Sequence, residues 1–95
     1  MWVLKSTDES FNRTLRINLG TTKTLGRSLR ADFVIDAPLL SRVHCNLSAS
    51  ASGLEVEDLG STNGTFVNNK RVQRSNLREG DHLKLGRLVL LVSEE

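Results

Sequence analysis

Apolar residues in this chain recur in short runs separated by turn-forming residues, and nowhere at the spacing of an amphipathic helix. That rhythm restricts the chain to an all-β sandwich or barrel. Trp2-Val3-Leu4 is a candidate first strand, and Leu15, Ile17 and Leu19 alternate with Arg16 and Asn18 to give one apolar and one wet face. Lys23–Gly26 and Phe33–Ile35 are shorter candidates, Val43, Cys45 and Leu47 follow at period two, and Leu54 and Val56 alternate with Glu55 and Glu57. Phe66-Val67 and Lys70-Arg71-Val72 flank Asn68-Asn69, a pair suited to the positive φ angles of a tight hairpin. Leu83 and Leu85 alternate again, and Leu88–Val92 reads as a strand covered on both faces. Glycines fall between or at the ends of these runs, and Pro38, the only proline, stands away from any central strand. The expected fold is two packed antiparallel sheets.

The chain has 95 residues, enough for one domain over 1–95 and too few for a second core. Its apolar runs are far shorter than the roughly 20 residues of a membrane-spanning helix, and the reading is a soluble intracellular chain, cytoplasmic or nuclear, with no membrane partner. Cys45 stands alone, so neither an internal disulfide nor a thiolate zinc site can be built, and it reads as a small buried side chain. His44 and Cys45 are neighbours on a strand and point to opposite faces, which argues against a metal site; no metal or cofactor is expected. His82 reads as exposed.

Three polar, turn-forming segments lie between the strands: Gly26-Arg27-Ser28, Ser41-Arg42-Val43-His44 and Gly60-Ser61-Thr62-Asn63-Gly64-Thr65. They offer guanidinium groups, hydroxyls and an amide, with no carboxylate among them. Such a set suits a dianionic tetrahedral group, because the arginine fork matches phosphate oxygens and hydroxyls fill the remaining acceptor directions. Enzyme readings fare worse: the chain has no Gly-x-Ser-x-Gly elbow and no phosphate-binding P-loop. Nucleic acid is not an expected partner either. The 13 Lys and Arg against 11 acidic residues make no dense basic patch, and three Phe and one Trp supply few stacking platforms.

The ordered set Gly26-Arg27, Ser41-Arg42-Val43-His44 and Ser61-Thr62-Asn63-Gly64-Thr65-Phe66-Val67-Asn68 resembles the signature of the forkhead-associated (FHA) domain. The trailing Leu77–Gly86 segment is similar to the last strands of that family. The resemblance implies a β-sandwich of about 10–11 short strands whose loops clasp a phosphothreonine-containing protein segment, with a Ser/Thr kinase upstream. It implies that Arg27 and Ser41 contact the phosphate, that Arg42 and Thr62 add contacts, and that Asn63 holds the ligand backbone. Gly26, His44, Gly64, Thr65 and Asn68 are implied to shape and brace the loops. The same resemblance implies a preference for phosphothreonine over phosphoserine. It places Leu39 and Leu40 where the third residue after the phosphothreonine is chosen, and an apolar pair there does not demand a charge. Asn63-Gly64 also has the composition of a hairpin turn, so a structural role is expected beside the binding one. The alternative within the family is binding of an unphosphorylated surface, or oligomerisation.

Overall fold

The computed structural model describes residues 1–7 and 12–95, which form eleven strands. One sheet contains β1 (Trp2–Ser6), β2 (Thr14–Ile17), β7 (Thr65–Val67), β8 (Lys70–Val72), β10 (His82–Leu85) and β11 (Leu88–Glu94), in the order β2-β1-β11-β10-β7-β8. The other contains β3 (Thr22–Gly26), β4 (Phe33–Val34), β5 (Cys45–Ser50), β6 (Gly53–Asp58) and β9 (Arg74–Leu77), in the order β4-β3-β5-β6-β9. Every pairing is antiparallel except β3 with β4, a short parallel contact that departs from the purely antiparallel expectation.

The alternation in the sequence sets which face is buried. Leu4 pairs with Leu15 and with Val92, and Leu47 pairs with Val56, so the inner faces of both sheets meet in one leucine-rich core. Each fully buried leucine contributes roughly 1.5–3 kcal/mol, which is how a chain with so few aromatic residues closes a core.

Three expectations need correction. Leu19 lies beyond β2 and is 68% exposed, because the backbone turns at Asn18–Thr21 instead of continuing the strand. Val43 precedes β5 and is exposed, so the period-two run begins only at Cys45. β11 is not covered on both faces: Leu88, Leu90 and Val92 enter the core, while Val89 is half-buried and Leu91 is exposed. Asn68 and Asn69 do take positive φ, of 50° and 69°, and close the β7–β8 hairpin.

The connections β3–β4, β4–β5 and β6–β7 gather at one end of the sandwich, together with the Gly86-Arg87 turn between β10 and β11. Backbone hydrogen bonds tie the first two: Arg27 N–H donates to Ser41 O at 3.0 Å, and Ser28 N–H to Arg42 O at 2.9 Å. At Gln73 the chain crosses from the first sheet to the second. Its backbone oxygen accepts from Asp58 N–H at 2.8 Å, and its amide donates to Asp58 O at 2.9 Å.

Candidate functional site

The approach of β3 to the β4–β5 loop fixes the floor of the site. A Cβ on Gly26 would collide with the carbonyl of Arg42, so only glycine lets the backbone pass. The next residue, Arg27, is exposed, but its Nε donates to Leu40 O. One nitrogen thus anchors the guanidinium, and the two terminal nitrogens have no partner among the described residues. Ser41 Oγ accepts from Thr62 N–H at 3.0 Å, which joins the β4–β5 and β6–β7 loops and leaves the hydroxyl hydrogen free to donate. Asn63 makes a second link, its amide donating to Leu39 O at 2.9 Å while its oxygen remains open.

His44 lies beneath these links, with no exposed surface. Ser41 N–H donates to its Nδ1 at 3.1 Å, so that nitrogen is bare; the ring proton sits on Nε2, 2.9 Å from Gly64 O. Burial lowers the pKa of His44 below its usual value, against the opposing pull of Gly64 O and Asp58. The neutral ring therefore bridges two loops.

Asp58 organises the third loop. Its Oδ2 accepts from Gly60 N–H and Ser61 N–H, both at 3.1 Å, and its Oδ1 accepts from Ser61 Oγ and, at 2.7 Å, from Thr65 Oγ1. Ser61 Oγ in turn accepts from Gly64 N–H at 3.0 Å. Burial by itself would raise the Asp58 pKa, but the hydrogen bonds from Ser61 and Thr65 outweigh it and hold the carboxyl below the ordinary range. The sequence reading passed over Asp58. Two signals marked it: an acid at the inward position after Leu54 and Val56, and the Asp-Leu-Gly-Ser order of a side chain closing a turn.

These loops enclose a cleft of about 910 Å³ that brings together all five residues expected to bind, Arg27, Ser41, Arg42, Thr62 and Asn63. Ser28, from the first of the three polar segments, and Arg30, not singled out in the sequence, also line it, and no carboxylate does among the described residues. Arg42 and Thr62 are exposed, and their side chains have no partner among the described residues. Leu39 sits on the rim, half-exposed, at a positive φ of 68°, whereas Leu40 is buried in the core. The apolar pair therefore divides, and only Leu39 presents its side chain outward.

Of the five residues expected to brace the loops, His44, Gly64 and Thr65 make hydrogen bonds within and between them, and Gly26 lies against the Arg42 carbonyl. Asn68 lies at the other end of β7. There its amide donates to Asp81 Oδ1 at 3.0 Å and its oxygen accepts from His82 N–H at 2.9 Å, so it ties the hairpin to β10 and not to the cleft. Asn63-Gly64 is also no hairpin turn, because β6 and β7 belong to different sheets and the loop crosses between them.

The match to the FHA domain family covers residues 23–86, which includes every loop of the cleft. A curated relative, the ABC transporter ATP-binding/permease protein Rv1747 of Mycobacterium tuberculosis, is 39% identical over 70 residues, covering 74% of this chain and 8% of the relative. The chain spans about half, or less, of the length of the first curated relatives it matches. A solved structure from work on phosphothreonine-dependent FHA domain interactions superposes with a TM-score of 0.89 at 33% identity, covering 99% of this chain and 96% of that one. The FhaA FHA domain, solved in complex with the intracellular domain of Rv3910, superposes with a TM-score of 0.88 at 33% identity, covering 98% of this chain and 100% of that one. Superposition and sequence match agree, and the chain belongs to the FHA domain family.

Proposed function

We propose that this chain is a non-catalytic docking module for phosphothreonine-containing segments of partner proteins, placed downstream of a Ser/Thr kinase. The observation that carries the reading is the acid-free cleft in which the unpaired guanidinium nitrogens of Arg27 and the donor hydroxyl of Ser41 face the same space. Arg27 and Ser41 take phosphate oxygens, Arg42 and Thr62 close over the remainder, and the free oxygen of Asn63 accepts a ligand backbone N–H. The 95 residues act as a single module.

Phosphorylation adds about −1.5 to −2 charge and strong acceptor oxygens to a threonine. Each charge-assisted bond contributes about 1.5–3 kcal/mol, so a few of them separate the modified from the unmodified segment. After ordering costs, the expected affinity is micromolar, about −8 kcal/mol. The relatives solved in phosphothreonine-dependent work and in complex with a partner's intracellular domain support this reading.

Amide chemical shifts recorded while a degenerate phosphothreonine peptide pool is added test it. Shifts confined to residues 26–30, 39–44 and 60–64 are expected. Shifts of equal size with the unphosphorylated pool would replace the reading with a phosphate-independent contact.

A further inference from the structure

The outward faces of the two sheets carry opposite chemistry. On the five-stranded sheet, Glu55 and Glu57 face outward and share one cation, Arg74, at 3.1 and 3.4 Å, so this cluster keeps a net negative charge. On the six-stranded sheet the outward positions include Arg71 on β8, Lys84 on β10, Lys5 on β1 and Arg16 on β2. All four are exposed, and none has an ion-pair partner among the described residues. None of the outward side chains on these strands is a carboxylate.

The register places these cations on one diagonal. Arg71 and Lys84 share the row Arg71–Phe66–Lys84–Val89; Lys5 lies in the next outward row, with Leu91 and His82, and Arg16 in the row after, with Val3. With strands about 4.8 Å apart and about 3.4 Å per residue, successive cations are spaced by about 8–12 Å, so the track is about 30 Å long. A peptide of about ten residues in the extended polyproline II conformation covers that length, rising about 3.1 Å per residue with three residues per turn, so every third side chain returns to the same face to meet a cation. The track begins at the phosphate cleft: a Cβ on Gly64 would lie 2.9 Å from Arg71 Nε, so this guanidinium rests on the β6–β7 loop.

The face is also shaped. Beside the β7–β8 hairpin lies a depression of about 340 Å³ lined by Asn68, Asn69, His82, Lys84 and Val89, in which a carboxylate would meet an ammonium, an imidazole and an amide. Half-buried Val89 and exposed Leu91 border it with apolar surface. A membrane or a duplex fits less well. Leu91, 38% exposed, is the one exposed large apolar side chain among the described outward residues of these strands, too little to anchor the face in a bilayer, and four spaced cations make no dense basic patch for a duplex.

We propose that this outer face is a second docking surface, for an acidic, extended segment of the same partner protein that presents the phosphothreonine. The proposal rests on the phosphothreonine reading. Two-point attachment would raise affinity by holding the acidic segment at high effective concentration once the phosphate is seated.

The test is calorimetry on the full chain with a phosphothreonine peptide, alone and extended on either flank by a Gly-Ser spacer and ten residues with Glu at the first, fourth, seventh and tenth. With four exposed ion pairs, the extension on one flank should tighten binding roughly tenfold at low salt. The gain should fall with added salt and disappear in the double variant Lys5→Glu/Lys84→Glu, whose affinity for the short peptide stays unchanged. No gain on either flank, or a gain that survives the double variant, would overturn the proposal. So would binding to phosphatidylserine vesicles or duplex oligonucleotide that the double variant abolishes while the extended peptides show no gain. If the short peptide itself fails to bind, the phosphothreonine reading fails. The face is then judged by the acidic peptide alone: amide shifts at Lys5, Lys84 and Leu91 support it, and their absence overturns it.

Discussion

Arg27 is held by Nε and open at its two remaining nitrogens, which separates its fold role from the binding role proposed for it. Arg27→Ala should lower phosphopeptide affinity at least about a hundredfold, the loss of two charge-assisted bonds. As an exposed residue it should cost stability about 1 kcal/mol or less, measured by urea unfolding. His44 behaves oppositely, since it never reaches the cleft surface yet joins Ser41 to Gly64. Its folded-state pKa is lowered, so its contribution to stability is fully present above the unfolded value near ~6.5 and lost as pH falls toward the folded value. Acid would place a proton on Nδ1 and break the Ser41 N–H bond. Urea midpoints measured between pH 7.5 and 5 should therefore decline in the native protein and flatten in His44→Gln. At this scale the polar segments that carry Arg27, Ser41 and Asn63 stood out in the sequence by their side-chain chemistry, and the fold brings them to one cleft. Asp58 escaped notice because its value lies in four donors that the fold, not the sequence, aims at it. Asp58→Asn leaves those donors short of an acceptor and should cost about 1–3 kcal/mol while weakening phosphopeptide binding in the same calorimetric assay.

Among the elements, every strand but β9 had a candidate in the sequence, through apolar alternation, a short apolar run or the Asn68-Asn69 turn. Arg74–Leu77 has only Leu77 in the core, so nothing in its sequence marked β9; β6 pairing and the Gln73 crossing place it. Leu19 and Leu91 were over-read for the converse reason, as exposed apolar side chains are common and periodicity cannot tell them from core. The crossing of the Asn63-Gly64 loop between sheets was hidden as well, since pairing is decided by distant strands. Glycine contacts show how one element presses on another. Gly86, in the β10–β11 turn at φ 61°, has no room for a Cβ, which would fall 2.8 Å from Leu39 C and O. Gly86→Ala should push back the segment that supplies Leu39 O to Asn63 and Leu40 O to Arg27, and so weaken phosphopeptide binding by more than its stability loss of about 1–3 kcal/mol would suggest. Comparing calorimetric Kd with urea midpoints for that variant checks this.

Across the whole molecule, two sheets bury a common core and leave their connections to assemble the cleft at one end. Cys45 lies within that core with no exposed surface, and burial pushes its thiol pKa up to about 12. It should resist thiol reagents at pH 8 until the fold opens, so its labelling rate reports global unfolding. Ligand protonation adds a separate pH effect. The phosphate's second pKa is about 6, so affinity should fall below that pH even where the fold is intact. The central claim is that one phosphate decides whether the cleft is occupied, and calorimetric titration with matched phosphothreonine and unphosphorylated peptide pools tests it most directly. Micromolar binding to the phosphorylated pool alone is the predicted result; equal binding to both pools, or to neither by a folded protein, would contradict it.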